Sequence, residues 1–285
     1  MKWSRKIFDG IAYHYDDNAK TSDNVDEKAV DKKNAPIVFI HGVGLRAESW
    51  YRQLAAFDNQ YHCYVIDMPG HGESALLPNS TLALTDFADV LKTFIDKVIG
   101  QPAILVGHSL GAMTALQAAV TCPQLVQGVA ALNAIYERPD EAAEDVQARA
   151  KSLLNDLAQN VTEQPIARWF DGDPQYFSEA ELCRAWLDNG NRLGYAKAYQ
   201  MFAHLRGISA DDLQTINVPA LFLTGKMDSN STPDMSLAMA DLLPNAHAVI
   251  IPKARHMAQM THANDVNAVL ATFFTQCNSH NLTLA

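Results

Sequence analysis

The chain has 285 residues, 48% apolar and 19% charged, which suits one large domain or one domain carrying an insertion and argues against a disordered chain. Acidic residues outnumber basic ones by 32 to 22, a formal charge of −10 with no long Lys/Arg run, which argues against a nucleic-acid or anionic-membrane surface. The opening "MKWSRKIFDGIAYHYDD" lacks an apolar stretch behind its basic residues, no run approaches the ~20 residues of a membrane helix, and Cys63, Cys122, Cys183 and Cys277 are scattered with no CxxC pair, so a cytoplasmic protein with reduced thiols and no zinc site is expected.

In chain order, "IFDGIAYHYDD" alternates around a glycine and predicts an N-terminal hairpin. Asp16 to Asn34 is polar and charged and predicts a flexible surface loop. "PIVFI", Pro36 to Ile40, is wholly apolar and predicts a buried strand running into "HGVG". A helical stretch follows over 47–57. "HCYVID", His62 to Asp67, is the next strand, and Leu82 to Ile99 has the spacing of an amphipathic helix. "AILVG", Ala103 to Gly107, is a third parallel strand, an alanine-rich helix then runs to Cys122-Pro123, and "LVQGVAALNA" is a fourth strand. From about Ile135 to Asp212 the pattern is helical and rich in aromatics: Trp169, Phe170, Tyr176, Phe177, Trp186, Tyr195, Tyr199 and Phe202. The alternation returns with "VPALFLTG", "DMSLAMADLL", "AHAVIIP" and "NDVNAVLATFF". Short apolar strands joined by helices predict an α/β fold with a parallel sheet covered on both faces. Its functional groups should gather at the carboxyl ends of the strands. Residues 1–134 and 213–285 then form the core domain, and 135–212 a helical insertion.

The most telling stretch is "ILVGHSLGAM". Gly107-His108-Ser109-Leu110-Gly111 fits G-x-S-x-G between a strand and a helix. Small residues flanking the serine are what a sharp turn needs, and the turn lifts the Ser109 hydroxyl above the sheet edge. The same pattern also fits a turn that merely joins two elements. A nucleophilic serine needs a base and an orienting acid. Asp228 follows the strand in "FLTGKMDSN", and His256 follows the next strand in "VIIPKARHMAQM". Ten histidines compete for the base, but His204 lies in the helical insertion, His262 at the start of the last helix and His247 at the wrong end of a strand. Glu137 is the rival acid, and Asp67 has the setting of a turn residue. The glycines of "HGVG" allow close approach to a substrate oxygen, so the backbone N–H groups of Val43 and Leu110 are the candidate oxyanion donors. His41 is expected to hold that loop by hydrogen bonds rather than to act as a base.

With "FIHGVG", "VIDMPGHGES", "LVGHSLGA", "LFLTGKMDSN" and "IIPKARHMAQM" in this order, the chain resembles the α/β-hydrolase superfamily along its whole length apart from the insertion. The resemblance implies an eight-stranded, mostly parallel sheet with a helical cap over the site. It makes Ser109 the nucleophile, Asp228 the acid and His256 the base, with no cofactor and no metal. "HMAQMTHANDVN" is similar to the corresponding region of enol-lactone and carboxylic ester hydrolases. Ser109 stands where dehalogenase and epoxide-hydrolase relatives carry Asp. Met257 stands where carbon–carbon hydrolases of ring-cleavage pathways carry Trp. The expected activity is therefore hydrolysis of a small-molecule carboxylic ester or lactone, with carbon–carbon hydrolysis, cofactor-free perhydrolysis and a ligand receptor on the same fold as alternatives. Trp169, Trp186, Met113, Met227 and Met257, with His41, Gly42 and His108, are the candidate pocket residues, which favours a mostly apolar acyl or alcohol group. The pattern fits a monomer or a homodimer equally.

Overall fold

A computed structural model describes residues 3–16 and 34–284. The stretch expected as a surface loop, Asp16 to Asn34, falls almost wholly outside them. Trp3–Phe8 (β1) and Ile11–Asp16 (β2) form the N-terminal hairpin, turning at Asp9-Gly10, both with positive φ. Then come Ile37–Ile40 (β3), Tyr51–Phe57 (α1, entered through a 3-10 turn at Ala47–Trp50), Cys63–Ile66 (β4) and Leu84–Phe94 (α2, leaving through a wide π-type turn at Ile95–Ile99). Ala103–His108 (β5), Leu110–Thr121 (α3) and Val126–Leu132 (β6) complete the first half. Between β6 and the next strand lie Asp140–Asn155 (α4), Glu163–Phe170 (α5), Phe177–Asn189 (α6), Arg192–His204 (α7) and Ala210–Leu213 (α8). Ala220–Gly225 (β7), Pro233–Leu242 (α9), Ala246–Ile251 (β8), Ala258–Thr261 (α10) and Ala263–Leu284 (α11) close the chain.

The eight strands form one sheet in the order β1-β2-β4-β3-β5-β6-β7-β8. Only the hairpin and its seam to β4 are antiparallel. Every pair from β4 to β8 is parallel.

The sequence builds this sheet because its central strands are apolar on both sides. All residues of β3, β5 and β7 are buried. Successive side chains feed two separate cores. Ile37, Phe39, Ile104, Val106, Leu221 and Leu223 pack toward Val266, Leu270, Phe273 and Phe274 of α11. Val38, Ile40, Leu105 and Phe222 pack toward α2 and α3 through Phe87, Leu91, Phe94, Met113 and Leu116. Each large side chain fully removed from water contributes about 1.5–3 kcal/mol. In α2 the buried set Leu84, Phe87, Ala88, Leu91 and Phe94 has helical spacing, and the Asp86 carboxylate closes its first turn by accepting the Ala83 N–H at 2.7 Å.

Three glycines let backbones meet where no side chain fits. A Cβ on Gly111 of α3 would sit 2.2 Å from the Ile40 carbonyl oxygen and 2.6 Å from that of His41. A Cβ on Gly107 would sit 2.1 Å from the Gly111 carbonyl oxygen. Further out, Gly194 of α7 lies against Gly70, where a Cβ would be 2.0 Å from the Gly70 carbonyl oxygen. That contact seats the β6–β7 helical segment on the loop after β4. No helix among the described residues is long and apolar enough to cross a membrane.

Because the obstacle at Gly111 is backbone, it has no rotamer to escape into. Gly111→Ala is expected to cost more than about 3 kcal/mol. Gly100→Ala, where the added Cβ meets nothing within 4 Å, should cost only the ~1–2 kcal/mol of its positive φ. Urea midpoints of the two variants check this, and equal losses would refute it.

Candidate active site

The strand-to-helix corner is strained. Ser109 has φ 53° and ψ −115°, a conformation that costs a non-glycine residue on the order of 1–3 kcal/mol. The corner is held from both sides. The Ser109 N–H donates to the Leu132 carbonyl of β6 at 2.8 Å, and its own carbonyl accepts from Ala112 and Met113 at 3.0 and 3.1 Å. Leu110 opens α3, so its N–H is among those with no partner inside the helix. A Cβ on Gly42 would lie 3.1 Å from Ser109 Cβ, which puts the loop after β3 directly beside the serine. In that loop the Leu45 N–H donates to the Gly42 carbonyl at 3.2 Å, closing a turn with Val43 and Gly44 at its centre and Gly44 at φ 77°. Val43 and Leu110 thus sit on two loops that converge on Ser109.

The structure brings Asp228 and His256 into direct contact. His256 Nδ1 lies 2.7 Å from Asp228 Oδ2. This places the ring proton on Nδ1 and leaves the Nε2 lone pair to accept. Both residues are about 5% exposed, as is Ser109. His108, next to Ser109, donates from Nε2 to the His256 carbonyl at 2.8 Å, and the two imidazoles are 4.9 Å apart. His256 is thereby tied to the residue beside the serine.

Burial pushes the Asp228 carboxyl upward. The His256 ring, the Asn230 N–H and the Asn133 amide outweigh that and hold it down to about 2. Asn133 donates to Asp228 Oδ2 at 2.8 Å, and the Asn230 and Ser231 N–H groups reach Oδ1 at 2.9 and 3.2 Å. Ser231 Oγ returns a bond to the Asn133 carbonyl at 2.8 Å. The sequence reading missed Asn133. Its signal was an asparagine one residue past a strand, a place that tolerates the positive φ it adopts (55°).

The other candidates separate. Glu137 is exposed on the loop leaving β6, whereas Asp228 is buried. Asp67 serves turns: its carboxylate accepts the Ala47 and Glu73 N–H groups at 2.8 and 2.9 Å. His41 accepts the Met68 N–H at Nε2 (2.9 Å) and donates from Nδ1 to the Gly42 carbonyl (2.7 Å), so it braces the loop. His204 bonds the carbonyl one turn back in α7, and His247 lies in β8. Trp169 stacks over His256, with centroids 6.1 Å apart and planes inclined by 20°. Met113 and Met257 are fully buried, and Met227, beside Asp228 in the chain, is half exposed. Trp186 borders a cleft of about 210 Å³ with Gly44, Gly70, His71 and Tyr195. Of the other insertion aromatics, Phe170 is buried, Phe177 is largely exposed, and Tyr195 stacks on Tyr199 with centroids 5.7 Å apart.

Residues 37–269 match the sequence profile described as "Alpha/beta hydrolase family". The (E)-2-((N-methylformamido)methylene)succinate hydrolase of Acinetobacter baylyi is 38% identical over 235 residues, spanning 82% of this chain and 88% of that protein. Among solved structures, a hydrolase from Pseudomonas aeruginosa PA01 superposes with a TM-score of 0.79 at 20% identity, covering 95% of this chain and 97% of its own. The enol-lactonase from Burkholderia xenovorans LB400 superposes at 0.78 and 20% identity, covering 95% and 100%. At such identities the structural likeness speaks for the fold.

Two buried imidazoles set an acid limit. Burial first, and then the neighbouring ring (His71 for His41, His256 for His108), lowers both from 6.5 to about 3. Below 6.5 the unfolded chain takes up protons that the folded chain refuses. Stability is therefore full above that pH and falls by about 1.4 kcal/mol per pH unit for each histidine down to about 3. Urea titrations from pH 7 to 4.5 should show a combined slope of about 3 kcal/mol per unit by the acid end, and a flat profile would overturn the assignment.

Proposed function

The chain belongs to the alpha/beta hydrolase family, and from that premise we propose that it is a serine hydrolase cleaving the acyl bond of an ester, a lactone or an N-acyl enamine through an acyl-enzyme. The carrying observation is the strained serine at the corner of β5 and α3, with the Asp228–His256 pair tied beside it through His108. The N-acyl enamine enters because the Acinetobacter baylyi relative is named for a substrate with an N-formyl group.

In this reading His256, oriented by Asp228, takes the Ser109 proton as the hydroxyl attacks the carbonyl carbon. The N–H groups of Val43 and Leu110 hold the developing oxyanion, each supplying roughly 3 kcal/mol of transition-state stabilisation. Collapse of the adduct expels the alcohol or enamine nitrogen, which leaves with the proton carried by His256. Water then loses a proton to the same imidazole, attacks the acyl carbon and releases the acid and the free serine. Asp228, held at about 2, remains an anion and stabilises the imidazolium throughout. The helical segment over residues 135–212 serves as a cap, Trp169 forming the roof over His256.

The test is turnover of p-nitrophenyl esters from acetate to decanoate and of an N-formyl enamine, with wild type and Ser109→Ala side by side. A fluorophosphonate label located by mass spectrometry accompanies it. Ser109→Ala should lose at least about 10⁴-fold in kcat and all labelling. An equally active variant, or a label on another residue, sinks the reading.

A further inference from the structure

The Asp228 carboxylate is flanked by a ring of buried side chains that no step of the proposed reaction uses. Asn133 and Ser231 belong to it, and Thr224 of β7 closes it. All three are fully buried. The Asn133 amide nitrogen carries two hydrogens. One goes to Asp228 Oδ2 at 2.8 Å and the other to Thr224 Oγ1 at 3.2 Å. Thr224 donates its own hydrogen to the Ser231 carbonyl at 2.7 Å, and Ser231 Oγ donates to the Asn133 carbonyl at 2.8 Å. The ring therefore ties the end of β6 to β7 and to the loop that carries Asp228.

Donation around this ring fixes the amide. The Thr224 hydroxyl hydrogen is committed to Ser231, so its oxygen accepts from Asn133. An ionised carboxylate can only accept as well. A flipped amide would set its oxygen against two acceptors. The backbone serves the same end. Asn133 has φ 55°, and its N–H is held by the Leu223 carbonyl at 2.7 Å.

Oδ2 is the carboxylate oxygen that faces His256. It meets His256 Nδ1 at 2.7 Å and Asn133 at 2.8 Å, whereas Oδ1 accepts the N–H groups of Asn230 and Ser231. Those two N–H groups belong to Asp228's own loop and move with it. Of the three donors that steady the carboxylate, Asn133 is the one that reaches it from the end of another strand.

From this geometry we infer that Asn133 is a positioning residue, with Thr224 behind it: its amide locks the rotation of the Asp228 carboxylate so that Oδ2 stays aimed at His256 Nδ1. The role rests on the serine-hydrolase reading, in which His256 must meet the Ser109 proton in one orientation. A misplacement of about 1 Å in such a group costs on the order of a hundredfold in rate.

The test compares wild type with Asn133→Gly, Thr224→Val and Thr224→Ser. Glycine accepts the positive φ and removes only the amide. Two readouts are taken on the folded chain: the rate of fluorophosphonate labelling at Ser109, and the proton NMR signal of the Nδ1–H between His256 and Asp228. Asn133→Gly should label about 10–100-fold more slowly, with that signal broadened or displaced and circular dichroism unchanged. Thr224→Val should move both readouts the same way by less, and Thr224→Ser, which keeps the hydroxyl, should recover most of that loss. If Asn133→Gly does not fold, the two Thr224 variants decide, and Thr224→Ser no better than Thr224→Val overturns the role. An Nδ1–H signal unchanged in folded Asn133→Gly overturns it whatever the labelling rate, and so does labelling at the wild-type rate. If wild-type Ser109 takes no label while the signal moves as expected, the hydrolase reading fails and the hold of Asn133 on Asp228 stands. A labelled wild type whose variants keep both readouts does the reverse.

Discussion

The approach of α3 to the end of β3 governs the geometry of the site. Gly111 lets the helix lie against the carbonyls of Ile40 and His41 at a separation no side chain permits, and Gly107 lets β5 turn beneath Gly111. Only at this closeness can the loop after β3 reach the serine corner and bring Val43 and Leu110 to the same place. The strain at Ser109 follows from the same constraint: the chain must reverse within one residue, and cross-links to Leu132, Ala112 and Met113 hold it there. Rigidity at the serine corner is thus inherited from backbone packing deep in the sheet rather than from side chains around it.

Burial is used in two different ways around this corner. His41 and His108 are kept neutral by it, which suits them to act as hydrogen-bonding struts. Asp228 escapes its effect because four groups bond the carboxylate, so the anion survives where an unpartnered one would protonate. Both solutions stiffen the molecule.

The sheet was legible because strand burial leaves a direct trace. "PIVFI", "AILVG" and "ALFLTG" are apolar at every position, as two-sided burial requires. The serine corner was legible because a steric need for glycine shows as glycine. Asp228 and His256 followed from strand ends, although nothing in the residue types alone separates Asp228 from Glu137; their burial does. Helix ends were less legible. The stretch read as Leu82 to Ile99 begins at Leu84, where Asp86 caps it, and loosens after Phe94 into a π-type turn that no periodicity announces. Asn133 stayed hidden for another reason. What matters about it is its bond to Asp228, and its chain neighbours do not carry that.

The meeting of Gly70 and Gly194 has a consequence for how such chains diversify. The helical segment joins the sheet through two covalent links, at the ends of β6 and β7, which suggests a cassette that could be exchanged wholesale. The glycine pair makes it less portable. Its seat is backbone against backbone, so a replacement segment must present a glycine at the same height above the loop after β4 or ride up by the depth of a side chain. A segment lifted in that way would draw Tyr195 off Gly44 and Trp169 off His256 together. Recombination within this fold should therefore succeed where both glycines travel with the graft, and a new specificity is more readily reached by changing side chains on a retained frame than by importing a new one.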